Sequence, residues 1–234
     1  QPGEEAEVVA AATPFYVEAG GEVSDTGVIR LAQRDALFRV EEVYRPIPGL
    51  IVHVGKVIDG TLALGDEVLL EVDNVRRGDI RRNHTGTHIL HKELRTQLGS
   101  HVTQAGSLVA PDRLRFDFSH GEPLSEEQLA SIEAGINQAI AANYPVKINH
   151  MDQQEAISQG AMALFGEKYG DIVRTISIGD DLGPDAYSFE LCGGLHVEET
   201  NDIGMFKFVS ESAVAAGTRR VEAVTGRAAQ ELVS

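Results

Sequence analysis

Tryptophan is absent from this sequence, cysteine occurs once and methionine three times. A single cysteine excludes a disulfide framework and suits a reducing, cytoplasmic compartment. No run of about 18 apolar residues occurs, so no membrane span is expected. The first residues, QPGEEAEVVAAATP, are acidic and lack the basic start of a secretory signal. The chain opens on Gln rather than Met, which fits a trimmed chain or a piece of a longer one. Positive charge is also scarce: 20 Lys and Arg stand against 36 Asp and Glu, a net charge of −16. A cut after Ile80 leaves 15 acidic and 7 basic residues before it and 21 and 13 after, so each part is at −8. Loose binding to a polyanion is thereby disfavoured, and any nucleic-acid contact needs Arg and Lys clustered on one face. There is no internal repeat and no low-complexity tract.

What is present suffices for packed cores. Of the 234 residues, 42% are apolar, which fits one or two domains. Residues 6–73 read as short strands: AEVVAAATPFYVEAG, GVIRL, ALFRVEEVYR, LIVHVGKV and EVLLEVD, separated by Gly20-Gly21, Pro46, Pro48-Gly49, Asp59-Gly60 and Gly65-Asp66. DGTLALGDEV (59–68) reads as a turn, a short strand, a second turn and another strand. Strands at this spacing suggest a small barrel or sandwich. The character changes near Arg76-Arg77-Gly78-Asp79. Ile89, Leu90, Leu94 and Leu98 then recur at helical spacing, which predicts a helix from about Asn83 to Leu98, closed by Gly99. SLVAPDRLRFDFS predicts two strands around Ala110-Pro111-Asp112. Ser125, with Gln128 three residues on, predicts a capping box and a helix ending before Pro145. VKINHMD reads as a strand and QEAISQGAMALFGEKYG as a short helix broken at Gly160. IVRTISI, AYSFEL, GMFKFVSES and RRVEAVTG complete an antiparallel α+β segment.

The chemistry lies in two spaced pairs. His84 and His88 stand at i and i+4, so one helix face carries both imidazoles. Cys192 and His196 repeat that spacing across Gly193-Gly194, and the glycines permit a tight turn. Three imidazoles and one thiolate suit Zn2+ in a tetrahedral site. His91 lies off the face of His84 and His88 and is expected to be solvated; His53, His101, His120 and His150 are expected to be structural. Thr85 stands where HExxH would need its glutamate, so a metalloprotease is disfavoured. Four protein ligands normally close a structural site. A catalytic reading needs a displaceable ligand, or a metal that orients a substrate group.

RRNHTGTHILHKELR, HVTQAGSLVAPDRLRFDFSH, GAMALFGEKYGDIVR and SFELCGGLHVEETNDIGMFKFVSESAVAAGTRRVEAVTG together resemble the editing domain of the alanyl-tRNA synthetase family. FYVEAGGEVSDTG resembles the start of the β-barrel preceding it. The likeness runs from about Ala6 to Gly226. It implies an α+β fold with a small N-terminal β-barrel domain (1–78) and a zinc-dependent editing domain (79–234). It also implies an aminoacyl-ester hydrolase that frees tRNA(Ala) of wrongly attached serine or glycine. The family's single zinc maps onto His84, His88, Cys192 and His196. Gln104 and Thr87 are implied as pocket residues beside the metal ligand Cys192, and Gly217-Thr218-Arg219-Arg220 matches a motif near the site. Two departures stand out: Leu195 replaces the usual threonine, and the phrase Gly20-Gly21-Glu22 puts a negative charge where the family has glutamine, expected to lie in a turn.

Several cations are candidates for tRNA contact: Arg81, Arg82, Lys92, Arg95, Arg219 and Arg220. A pocket with a partner for the serine hydroxyl discriminates against alanine, which would leave that partner unpaired. The remaining synthetase domains are the expected further partners, since phrases such as GAMALFGEKYGDIVR favour an excised synthetase segment over a free-standing trans-editing protein of the AlaX type. Two other readings compete: a zinc-stabilised tRNA-binding module without chemistry, and the related editing domain of threonyl-tRNA synthetases.

Overall fold

The computed structural model describes residues 2–33, 35–163 and 170–234. They fall into two units, residues 1–19 with 23–77 and residues 20–22 with 78–234.

In the first unit, strands β1 (Glu5–Val8), β2 (Gly27–Leu31), β3 (Leu37–Ile47), β4 (Leu50–Asp59) and β5 (Val68–Val72) form one antiparallel sheet in the order β1-β4-β3-β2-β5. Pro48-Gly49 joins β3 to β4: proline presets the first turn position and Gly49, at φ +82°, takes the left-handed second one. Period-2 alternation sends Phe38 and Val40 inward. A bulge between Val40 and Glu42 then shifts the phase, so that Val43 faces the core and both glutamates stay outside. These residues pack with Phe15, Ile29 and Val57. The barrel expected from the sequence is thus seen as a five-stranded sheet, with no pairing between its edges β1 and β5 among the described residues. The short strand expected within 59–68 is absent. Asp66 instead accepts from the Ala63 N–H at 2.7 Å and returns its own N–H to the Ala63 carbonyl, a local turn that outcompetes pairing. His53 is buried between Thr13 and the Val8 carbonyl, a structural histidine as expected.

Helix α1 (Asn74–Leu98) begins nine residues before the expected Asn83. Asp73 caps it, its carboxylate accepting from the Arg76 N–H at 3.0 Å and its carbonyl from the Arg77 N–H. Gly78 therefore lies inside the helix, where it costs propensity but breaks nothing. Gly99, at φ +121°, ends it as predicted.

In the second unit, strands β6 (Gln104–Val109), β7 (Leu114–Ser119), β11 (Phe206–Ala215) and β12 (Thr218–Thr225) form a sheet in the order β11-β12-β7-β6. A second sheet, β10-β9-β8, is built from β8 (Val146–Asp152), β9 (Ile172–Ile178) and β10 (Ser188–Leu191). All pairings in both are antiparallel. Helix α2 (Glu126–Ala141) carries the predicted capping box, with Ser125 and Gln128 satisfying each other's backbone N–H groups. Short helices α3 (Gln153–Ser158) and α4 (Gly226–Leu232) complete the unit. The expected break at Gly160 is present, and the rest of that predicted helix, at 164–169, lies outside the described residues. The core joins Ile89, Leu90 and Leu94 of α1 to Phe116 and Phe118 of β7 and to Ile132, Ile136 and Ile140 of α2. Gly86 lets α1 approach β12: a Cβ there would lie 3.2 Å from Thr225 Cγ2.

Replacing Ser125 by alanine removes one half of the capping box. Denaturant unfolding of Ser125→Ala is expected to show a loss of about 1 kcal/mol, with an unchanged slope.

Candidate metal centre

From Asn83 to Leu94, α1 is buried nearly all round, yet it carries Asn83, His84, Thr85, Thr87, His88, His91 and Glu93 there. Buried polar groups demand partners, and the partners are specific. Asn83 donates to the Ala110 carbonyl at 2.7 Å and accepts from the Thr225 hydroxyl at 2.7 Å, which fixes the rotation of the helix. His84 and His88 then face the segment following β10, where Cys192 and His196 sit. Arg174 on β9 shapes that segment: one guanidinium nitrogen donates to both the Cys192 and Gly194 carbonyls at 2.8 Å.

The four side chains converge. The ligand atoms of His84, His88, Cys192 and His196 all lie within 4.8 Å of one another, and all four residues are buried. Cys192 Sγ is 3.3 Å from His84 Nε2 and 3.4 Å from His196 Nε2. The imidazole centroids are 4.4 to 5.2 Å apart. Three imidazoles and a thiolate gathered this closely could hold a metal ion, and the donor set is compatible with one Zn2+.

The far side of each ring is held as well. His84 Nδ1 bonds the Glu22 carboxylate, and His196 Nδ1 meets the Thr85 hydroxyl at 3.1 Å. His88 Nδ1 is 2.8 Å from Glu190 Oε2, out of line for a hydrogen bond but close enough for an ion pair. The groups behind the rings fix their orientation, with Nε2 of His84 and of His196 turned towards Cys192 Sγ. Thr85, Glu22, Glu190 and Arg174 were not legible as site residues in the sequence. The one available signal was that Glu190 belongs to an all-buried strand just before Cys192.

Three sequence expectations are corrected. His91 is not solvated: it is buried, 3.2 Å from Glu190 Oε1 and edge-on to Phe116, because this stretch of α1 has almost no exposed face. Glu22, expected within a turn, lies just after it: Gly20 and Gly21 make the turn, and Glu22 is 0% exposed. The glycines of the Cys192–His196 turn are used for space rather than for φ. Neither has a left-handed backbone, but a Cβ on Gly194 would collide with the His84 ring and the Glu22 carboxylate.

The remaining candidates are placed as follows. Thr87 is buried and donates its hydroxyl to the Asn83 carbonyl at 2.8 Å. Gln104 opens β6, half-buried, outside the hydrogen bonds that surround the four ligands. Most of the cations are engaged within the fold. Arg82 pairs with Asp79, Arg219 is bidentate to Glu211, and Arg220 is bidentate to Asp117 at 2.7 and 2.8 Å. Arg95 pins the Ser100 and Val102 carbonyls. Lys92 lies 5.9 Å over the Tyr187 ring. Arg81 has a buried Nε with no hydrogen-bond partner.

Electrostatics agree with a cation site. Burial opposes ionisation of Cys192, yet the imidazoles around it hold the thiol well below its usual range. Burial also opposes charge on His84, but the Cys192 thiolate and Glu22 raise it to about 9. His88 is raised well above its ordinary value against burial, by Glu190 and Cys192. Burial, with the neighbouring positive His84, lowers His196 to about 3. Glu190, despite burial, is held far below the usual carboxylate range by His88 and His91.

Comparisons with known proteins now decide the family. Residues 173–222 match the family described as Threonyl and Alanyl tRNA synthetase second additional domain, and residues 1–76 match tRNA synthetases class II (A). The chain is 49% identical to the alanine–tRNA ligase of Roseiflexus castenholzii, over 99% of its own length and 27% of that protein's. It is 51% identical to the alanine–tRNA ligase of Fervidobacterium nodosum, over 95% of its own length and 25% of the relative's. The chain is a relative of one segment of the alanine–tRNA ligases. It spans about a quarter of the length of these ligases. The resemblance seen in the sequence is thereby established. No described helix is long and apolar enough to cross a membrane.

Metal binding here must displace protons from His84 and His88. Near neutral pH, uptake of one ion is expected to release about two protons, and its apparent affinity to fall with acidification below about pH 9. Calorimetric titration with Zn2+ in buffers of different ionisation heat measures this; proton-neutral binding would contradict it. Gly194→Ala is expected to weaken Zn2+ binding without lowering helix content by circular dichroism, because its Cβ strikes only site residues.

Proposed function

We propose that this chain is the editing segment of an alanine–tRNA ligase, a hydrolase that cleaves the ester joining serine or glycine to tRNA(Ala). One observation carries the reading: a complete, buried His84-His88-Cys192-His196 cluster in a chain about half identical to alanine–tRNA ligases. One Zn2+ held by those four side chains would supply a fixed positive centre for the polar groups of the aminoacyl end. The residues of the chain do the rest.

An aminoacyl ester is already activated, so the site has to position it, admit a water and sort side chains. Thr87 is well suited to sorting. Its proton is committed to the Asn83 carbonyl, so what it offers is an acceptor lone pair. A serine hydroxyl can donate to that lone pair; the alanine methyl cannot. Gln104, at the opening of β6, is proposed to face the same pocket and orient the ester. Glycine is admitted by size, without help from Thr87.

For tRNA, the proposal retains Arg81, Arg82, Lys92, Arg95, Arg219 and Arg220 as phosphate contacts. Arg82, Arg95, Arg219 and Arg220 would have to share or exchange their internal partners. With a net charge of −16, that predicts weak, salt-sensitive binding by the chain alone. A second reading, a tRNA-binding module with a purely structural zinc, is favoured by the completeness and burial of the four ligands.

Single-turnover hydrolysis of Ser-tRNA(Ala) and Ala-tRNA(Ala), with zinc assayed on the same sample, separates the two. The editing reading expects serine to be released and alanine spared, and Cys192→Ala to lose both zinc and activity. The structural reading expects zinc but no release from either substrate. Thr87→Val keeps the shape and removes the hydroxyl. It is expected to lower serine release relative to glycine release by about tenfold, one neutral hydrogen bond. An unchanged ratio would remove Thr87 from the sorting role.

A further inference from the structure

Glu22 is a fully buried carboxylate with no Lys or Arg in ion-pair contact among the described residues. An isolated buried carboxylate is strongly unfavourable unless something balances its charge. The strap that carries it is held at considerable cost in freedom. Gly20 and Gly21 both adopt left-handed backbone, at φ +59° and +85°. The Gly21 carbonyl accepts from the Val109 N–H at 2.7 Å, and Glu22 forms a bridge with Val109 on β6. A Cβ on Gly21 would collide with the Ser107 carbonyl, so only glycine lets the strap lie this close. Its product is one carboxylate placed against two donors: His84 Nδ1 and the Leu195 N–H, the latter at 3.0 Å from Oε2. Leu195 lies between Gly194 and the ligand His196. Glu22 therefore touches the helix that supplies two ligands and the turn that supplies the other two.

We infer that Glu22 is a positioning residue of the metal centre, whose carboxylate orients His84 and anchors the Cys192–His196 turn so that both pairs meet one ion. The inference rests on the metal reading above. Accepting the His84 Nδ1–H leaves Nε2 free as the donor to metal and makes it more basic. Accepting the Leu195 N–H prevents the turn from drifting away from α1.

Two variants test this on the whole chain, by competition for Zn2+ against a chromophoric chelator and by the spectrum of the Co2+-substituted protein. Glu22→Ala removes both acceptors and is expected to weaken Zn2+ binding by about tenfold to a hundredfold. Glu22→Gln keeps an oxygen acceptor and loses the charge; it is expected to recover most of that loss. In both variants the thiolate-to-cobalt band should persist, because Cys192 still binds, while the ligand-field bands shift as the His84 ring reorients. Val221→Ala, a buried change on β12 paired with Phe116 of β7, serves as the folding control. It should lower thermal stability and leave Zn2+ affinity and the cobalt spectrum unchanged. Wild-type affinity and an unchanged cobalt spectrum in Glu22→Ala would overturn the inference while leaving the metal reading intact. Absence of Zn2+ binding by the wild-type chain would overturn both.

Discussion

The second unit is organised around one constraint: four side chains able to hold a metal ion, from segments a hundred residues apart, meet in a buried cluster. Burying a thiolate and two carboxylates costs free energy that packing alone does not return. The structure offsets it with hydrogen bonds behind the His84 and His196 rings and an ion-pair contact behind His88. This explains why α1 carries polar residues through the very stretch that is most buried. Asn83 locks the helix rotation from one end, and Glu22, Thr85 and Glu190 hold the far sides of the rings.

The surrounding fold supplies rigidity to that convergence. The four-stranded sheet places Thr225 and Val109 where they fix Asn83 and the Gly20–Glu22 strap. The three-stranded sheet carries Arg174 and leads into Cys192. Both sheets share a core with α1 and α2, so a displacement at either ligand pair would strain packed Phe116, Phe118 and Ile136. Close approach is obtained with glycines at Gly21, Gly86 and Gly194, each facing backbone or side-chain atoms that a Cβ would strike.

The same economy applies to the cations. Cations that read in the sequence as free for phosphate are mostly spent on holding the fold. Arg219 and Arg220 clamp Glu211 and Asp117 across β12, and Arg95 closes the end of α1.

The sequence by itself determined the ligands. Spacing of four on a helix and four across Gly-Gly put His84 with His88 and Cys192 with His196, and the structure gathers all four into one buried group that could hold a metal ion. Capping chemistry placed α2, and alternation placed β6, β7 and the antiparallel strands that follow. The long-range likeness to alanyl-tRNA synthetases was also readable, because it rests on several motifs in order. Only the tertiary structure decided the second layer. Glu22 lies 62 positions before His84, His91 and Glu190 are 99 positions apart, and Thr85 meets His196 across 111. No local period encodes such meetings. The start of α1 was missed because Asp73 as a cap outweighed Gly78 as a breaker. His91 was misjudged because a helix buried on all sides has no solvent face for its period to reveal.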